Sequence, residues 1–485
     1  MRELIAVVNR QGGDATEAAV IMLSALSSTG ADAFSIASPS YMKSESTIHT
    51  LRQHCLNSKT IIGCKSPRSL QSEKPQPTML KNAAMVFAGR IYTTKGILKI
   101  EPFAFDLQKQ GTEAAKSLVE NSFGDYVFVL AESSTLVAGR DAAGACPLYY
   151  GKNAEFAALA SERKALWKIG IEKSYSFPPG YVAVVDQENF KLEPVKILSY
   201  SEPKQMTMAD AVNELESLLR YSVAQRTSNL KEVCIAFSGG LDSSIIALFA
   251  KNNKCNVQLI HVSLEDQKET EYARKAAEIL KLPVHIRLFK EEDVQKNLRK
   301  VLWLIEEADP IKTGVGIPIY WAAEQAAEMG FKVMLAGQGA DEFFGGYKRY
   351  VDDYSLGNEK VMERIFNDIV RIYDNNLERD SKICSYHDVE LRLPFAAFEM
   401  AEFATALPVN LKIDSEKDTL RKLVLRKVAQ NAGLPEMISM KPKKAVQYTT
   451  GVDKTLKKMA KREGVSVRTL LQKMFNRIFE EASLK

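Results

Sequence analysis

The hydrophobic period of this chain changes once, near residue 200, and no other feature of its 485 residues restricts the fold as much. Before the change, short apolar runs rich in Val, Tyr and Phe (ELIAVV, AAMVFAGRIY, DYVFVLAE, GYVAVV) are broken by Gly, Pro and charged residues, which is a strand pattern. One segment there, Thr16–Ser27, reads as an apolar helix. Beyond about Asp210, Val212, Leu215, Leu218, Leu219 and Val223 follow helical spacing. Strand-like and helical runs then alternate: Val233–Phe237, Ser243–Ala250, Val257–Val262, Glu269–Leu280, Val284–Leu288 and Lys332–Ala336. Such alternation implies a parallel sheet covered on both faces. The chain is therefore expected to form two domains. Residues 1–200 should make an α+β layered-sheet domain. Residues 201–485 should make a doubly wound α/β domain with a helical C-terminal part. The polar stretch SYSEPKQM at Ser199–Met206 joins them. The tail, roughly Lys454–Lys485, reads as a basic amphipathic helix that packs with one face solvated.

Composition removes several function classes. With 46% hydrophobic and 26% charged residues the chain is of the water-soluble globular type. A net charge of +5 over this length is too weak to argue for nucleic acid. No run reaches 18 apolar residues, and MRELIAVVNR turns polar too soon for a signal-peptide core, so a cytoplasmic protein without membrane contact is expected. Six cysteines show no CxxC or zinc-finger spacing and are expected to be reduced and buried.

Ser238-Gly239-Gly240-Leu241-Asp242-Ser243-Ser244 follows a predicted strand and opens a predicted helix, where an open parallel sheet binds phosphate. The two glycines let the backbone approach an anion, N–H groups of the helix start face it, and Ser238, Ser243 and Ser244 add hydroxyl donors. Asp242 would repel phosphate unless a divalent cation lay between them, so the loop implies magnesium. It is not the GxxxxGK(S/T) loop, since no lysine follows the glycine pair. The blander reading is a Gly-Gly turn with a serine-rich cap. A second cluster, Gly337-Gln338-Gly339-Ala340-Asp341-Glu342 followed by Phe343-Phe344-Gly345-Gly346-Tyr347, lies after another predicted strand and could face the first across the carboxyl edge of the sheet.

SGGLDSS resembles the pyrophosphate loop of ATP-pyrophosphatases, which split ATP to AMP and pyrophosphate and activate a substrate as its adenylate. GQGADEFFGGYKRY is similar to the second signature of the asparagine synthetase family. This resemblance implies ATP and Mg2+ as cofactors, Asp341 joining Asp242 at the metal, and Gly337 and Gly339 near the nucleotide. Glu269–Ala273, Arg379-Asp380, Glu390–Phe395 and Arg421–Arg426 continue the likeness. KPKKAVQYTTG at Lys441–Gly451 matches the stretch whose lysine meets the ATP phosphates; Lys443 is the choice, with Lys444 second. Gln338 stands where many members have a glutamate assigned to ammonia attack, and a glutamine cannot take up that proton. Lys443, Gln338 and Glu390 form the candidate catalytic set, and Arg392 is a candidate for the substrate carboxylate.

The first half is similar to the family's N-terminal-nucleophile (Ntn) glutaminase domain. Its motifs are Pro75-Gln76-Pro77, Phe87–Tyr92, Gly139-Arg140-Asp141, Pro147–Tyr150, Ala160–Leu166 and Pro179-Gly180. Glutamine hydrolysis by that fold needs an N-terminal cysteine, and residue 2 is Arg2, with no Cys, Ser or Thr before Thr16. Ala88 replaces the asparagine that helps stabilise the oxyanion, and Thr29 replaces an arginine. The resemblance thus implies a ligase that adenylates the aspartate side chain and forms the amide with ammonia, without its own glutaminase. A homodimer and a separate ammonia-supplying protein are the partners it leaves open. The alternatives are a β-lactam synthetase-like ligase, in which Tyr347 or Tyr350 would work with Glu390, a non-catalytic nucleotide-binding subunit, and a tRNA-modifying ATP-pyrophosphatase, whose thiol pair or basic module is not evident.

Overall fold

The computed structural model describes residues 2–67, 75–93 and 96–483. The chain divides into two compact units, Met1–Ile197 with Ser385–Asp388, and Leu198–Cys384 with Val389–Lys485.

In the first unit, period-two alternation builds layers. Strand Glu3–Asn9 pairs antiparallel with Phe156–Ala160 and Thr60–Pro67 inside a seven-stranded sheet. Its Leu4, Ala6 and Val8 enter a core shared with Val86, Val127 and Val129 of a second antiparallel sheet. Ile5 and Val7 turn the other way, onto Ala19, Met22 and Leu23 of the helix Thr16–Ala25. On the far side of the second sheet, Phe87 and Phe128 pack on Phe103, Leu107 and Val119 from the helices Glu101–Gln110 and Thr112–Asn121. The result is a helix–sheet–sheet–helix sandwich, the Ntn-like architecture expected. Each Val, Leu or Ile side chain fully buried between layers contributes about 1.5–3 kcal/mol. All six cysteines are free and five are buried. Cys55 departs from the expectation: it is exposed, in a surface turn where its thiol donates to Asp14 Oδ2 at 3.3 Å.

The second unit holds a five-stranded sheet, its strands numbered here within the unit: β1 (Glu232–Ala236), β2 (Asn256–Leu264), β3 (Val284–Phe289), β4 (Val333–Leu335) and β5 (Glu390–Arg392). All pairings are parallel, in the order β3-β2-β1-β4-β5. Helices α1 (Leu241–Asn252) and α2 (Lys268–Leu280) carry the chain from β1 to β2 and from β2 to β3. Helices α3 (Glu291–Ile305) and α4 (Pro310–Glu328) return it to β4, on the other side of β1. The winding therefore reverses between β1 and β4, and a crevice opens at their carboxyl ends. The tail forms two helices, Val452–Arg462 and Val467–Ser483, instead of one. They are separated where Gly464 takes φ +66°, a left-handed conformation that stops a helix. Leu484 and Lys485 lie outside the described residues. Among those residues no helix is long and apolar enough to cross a membrane.

Candidate functional site

The two glycine-rich loops leave β1 and β4, the strands flanking the reversal, and line one cleft of about 760 Å³. In the first loop Gly239 has φ +68°, and a Cβ there would stand 2.8 Å from Ala273 Cα, so this glycine lets α2 close on the turn. Gly240 caps α1; its N–H donates to Ser238 Oγ at 3.2 Å, and Ser243 Oγ donates to the Gly240 carbonyl at 3.3 Å. Ser238, Asp242 and Ser243 face the cleft. Ser244 does not: it is fully buried on the inner side of α1. From the second loop Gly337, Gln338, Asp341 and Glu342 line the same space, while Gly339, at φ +99°, turns the chain into the short helix Ala340–Phe343.

Four charges converge where the loops meet. Lys422 Nζ lies 2.8 Å from both carboxylate oxygens of Asp242 and 2.6 Å from Asp341 Oδ1. Lys443 Nζ lies 2.7 Å from Asp341 Oδ2. The Lys422 side chain is 1% exposed and passes Gly346, where a Cβ would come within 2.5 Å of its Cε. Burial alone would push the Asp341 carboxyl up; Lys422 and Lys443 outweigh it and hold that carboxyl well below the usual carboxylate range. Burial likewise opposes the charge on Lys443, but Asp341 and Asp242 raise its pKa. The geometry separates the two neighbouring lysines, for Lys444 turns away to Glu269 Oε1 at 3.0 Å. It also amends the case for magnesium, since an ammonium group already neutralises Asp242. Among the described residues no group of three or more His, Cys, Asp or Glu side chains could hold a metal ion. Two carboxylates converging on one cation do fit magnesium of the kind that is bound through one or two acids and completed by substrate phosphates and water.

Beyond these charges the cleft wall combines apolar side chains, among them Ile260, Val262, Val315 and Ile319, with further polar groups. Gln338 Nε2 donates to Asp380, whose carboxylate receives two bonds from Arg379 at 2.7 and 3.1 Å. Glu342 Oε1 accepts from the Tyr347 hydroxyl and from Asn376 Nδ2, each at 2.5 Å. Burial, and then Asp341, raise the Glu342 pKa. Tyr350 donates instead to Asp368 at 2.6 Å. Glu390 and Arg392 are corrections to the sequence reading: neither lines the cleft. Residues two apart on a strand share a face, and here they satisfy each other in a buried pair at 2.7 Å. The two tyrosines considered with Glu390 bond other acids, Tyr347 to Glu342 and Tyr350 to Asp368. Sequence reasoning missed Lys422, although it singled out Arg421–Arg426. It also missed His261 of β2, a buried imidazole lining the cleft, whose Nδ1 donates to the Phe237 carbonyl at 2.9 Å and whose pKa is lowered by burial.

Residues 214–364 and 355–481 match the asparagine synthase family model, and residues 67–168 match that of a glutamine amidotransferase domain. The chain is 35% identical over 396 residues to putative glutamine-hydrolysing asparagine synthetase 1 of Methanocaldococcus jannaschii, across 72% of this chain and 73% of that protein. It is 25% identical over 408 residues to the glutamine-hydrolysing asparagine synthetase of Rattus norvegicus, across 74% and 71%. Among solved structures, the glutamine phosphoribosylpyrophosphate amidotransferase of B. subtilis shares 14% identity at a TM-score of 0.30, over 59% of this chain and 65% of that one. The chain belongs to the asparagine synthase family of ATP-dependent amide ligases, with an amidotransferase-type domain ahead of the synthase domain.

Proposed function

We propose that the second unit adenylates the side-chain carboxylate of aspartate and passes the acyl group to ammonia. One observation carries this reading: Asp242, Asp341, Lys422 and Lys443 converge at the mouth of the β1–β4 crevice. A substrate carboxylate oxygen attacks the α-phosphorus of ATP, and the bond from that phosphorus to the pyrophosphate oxygen breaks. Lys443 and Lys422 face the charge that develops on the departing pyrophosphate, within a site whose burial strengthens each contact. Ser238, Ser243 and the N–H groups opening α1 donate to the phosphates. Asp242 and Asp341 would hold magnesium, which when bound draws charge from the phosphate oxygens. Ammonia nitrogen then attacks the acyl carbon, AMP leaves with the bridging oxygen, and the nitrogen sheds a proton. Gln338 cannot receive that proton and is held by Asp380; Glu342, whose raised pKa suits a base, is the acceptor in this reading.

The same reading gives the first unit no glutaminase activity. What supports this is that Arg2, at the position where the resemblance expects the nucleophile, is 6% exposed and donates to the Phe87 carbonyl at 3.3 Å. Cys64 and Cys146 are buried thiols bonded to the Gln76 and Asp125 carbonyls. Free ammonium, or ammonia from another protein, is then the nitrogen source. The test is release of AMP and pyrophosphate with a panel of carboxylic acids, with and without ammonium. Release with aspartate and ammonium, and not with glutamine, is expected. A different acid that alone supports release reassigns the acceptor, and no release with any acid refutes the ligase reading.

A further inference from the structure

The charges at the loop junction sum to zero: two carboxylates, Asp242 and Asp341, against two ammonium groups, Lys422 and Lys443. Lys422 occupies the point at which both carboxylates converge, with three carboxylate oxygens within 2.8 Å of its Nζ. The position that two acids could offer to a divalent cation is thus taken by this chain's own cation. A metal ion entering alone would face the buried Lys422 ammonium at close range and leave two positive charges uncompensated by protein carboxylates. Like charges at such distances repel each other even when screened by the surrounding protein. A metal ion arriving with pyrophosphate oxygens brings its own negative charge and gives Lys422 a new partner. Room for that exchange exists: a smaller pocket of about 90 Å³ adjoins the loop, lined by Lys422, Arg426, Lys441, Lys443 and Lys444 together with Asp242. Lys441 lies there over the Tyr272 ring, and burial lowers its pKa to about 8.

We propose that Lys422 reserves the metal position in the nucleotide-free enzyme, so that the divalent cation binds only together with a phosphate-bearing ligand. The proposal rests on the reading of Asp242 and Asp341 as metal ligands and adds an order of binding to it.

Mn2+ is the probe, followed by the electron paramagnetic resonance of the free ion over the full-length chain. The wild type is expected to bind no Mn2+ when the ion is offered alone at millimolar concentration, and to retain one Mn2+ per chain once inorganic pyrophosphate is added. Lys422→Met should bind Mn2+ without pyrophosphate at least ~10-fold more tightly than the wild type, and its thermal midpoint should rise with Mn2+ while that of the wild type does not. Lys422→Arg, which keeps the charge, should behave as the wild type does. Should Lys422→Met fail to fold, Lys422→Gln serves as the neutral variant in its place, and a neutral variant that binds Mn2+ no more tightly than the wild type overturns the role of Lys422. Stoichiometric Mn2+ binding by the wild type without pyrophosphate overturns the proposal and leaves the metal reading standing. No Mn2+ uptake by the wild type even with pyrophosphate overturns both.

Discussion

Both units bury carboxylates beside lysines, and they do so to opposite effect. In the first unit Glu3, Glu162, Lys65 and Lys164 form an internal cluster: Lys164 pairs with Glu162 at 2.8 Å, and Glu162 also accepts from the Ser27 N–H and hydroxyl at 3.0 Å. Burial, with the neighbouring Glu162, pushes the Glu3 carboxyl up to about 8. In the second unit the lysines prevail over burial, and Asp341 stays ionised at the wall of a cleft. Charges closed in on one another are engaged within the fold and costly to separate, whereas charges aligned along a cleft wall are available to a ligand. The proposed loss of glutaminase activity and retention of ligase activity follow that division.

The sharpest way to break the contrast is to substitute Asp341→Asn or Lys422→Met in the second unit and Arg2→Ala in the first. Pyrophosphate release should fall by about 10²–10³-fold for either of the former, as when a charge-stabilising group is removed from an active site. It should change less than about twofold for Arg2→Ala in protein that remains folded, as for a substitution remote from the chemistry. A comparable fall with Arg2→Ala would mean that the first unit takes part in the adenylation chemistry.

Next in size is stability. Glu162→Ala removes a buried carboxylate that pairs with Lys164 and accepts from the Ser27 N–H and hydroxyl, and should lower the unfolding free energy of the first unit by about 3–5 kcal/mol, read from denaturant titration. A loss below about 1 kcal/mol would show the cluster to be no more than a surface-type pair.

The pH dependence contributed by Glu3 and Asp141 should be opposite in sign to that contributed by Asp341. Glu3 rises from an ordinary 4.5 to about 8 and Asp141 from 3.8 to about 7, both chiefly through burial. Their folded forms hold protons that the unfolded chain releases. Their contribution to stability is therefore complete at acid pH, falls as pH rises from about 4 to about 8, and is gone above that. Asp341 is shifted the other way, so its contribution is present at neutral pH and disappears only on acidification below the ordinary carboxylate range. Glu3→Gln should flatten the slope for the first unit between about 4.5 and 8 in urea midpoints and leave the second unit unchanged. An unchanged slope would rule Glu3 out as its origin.

Smallest is Arg2→Cys, which should release no glutamate from glutamine, because Ala88 and Thr29 still lack the groups that oxyanion and substrate would need. Glutamate release by that variant would show the remaining pocket to be competent.

Much of this was legible in the sequence because it is local. The short apolar run ELIAVV marked a strand, and glycine-rich punctuation between a strand and a helix marked both loops with Asp242 and Asp341. Lys422 was not legible, since it reaches Asp242 across 180 positions and takes a left-handed backbone, φ +57°, that nothing in RKLVLR signals. His261 is one of several polar residues in its strand, NVQLIHVSL, and only the order of the strands puts it beside the crevice. Glu390 misled because its motif was read without its strand: a Glu and an Arg at i and i+2 point the same way and can neutralise each other.

The central claim is that nitrogen enters at the second unit as ammonia and not from glutamine through the first. The chain incubated with ATP, aspartate, 15N-ammonium and unlabelled glutamine tests it in one reaction, with the amide product read by mass. Full 15N in the product amide, with no glutamate formed, is the result expected. An unlabelled amide accompanied by an equal amount of glutamate would contradict it.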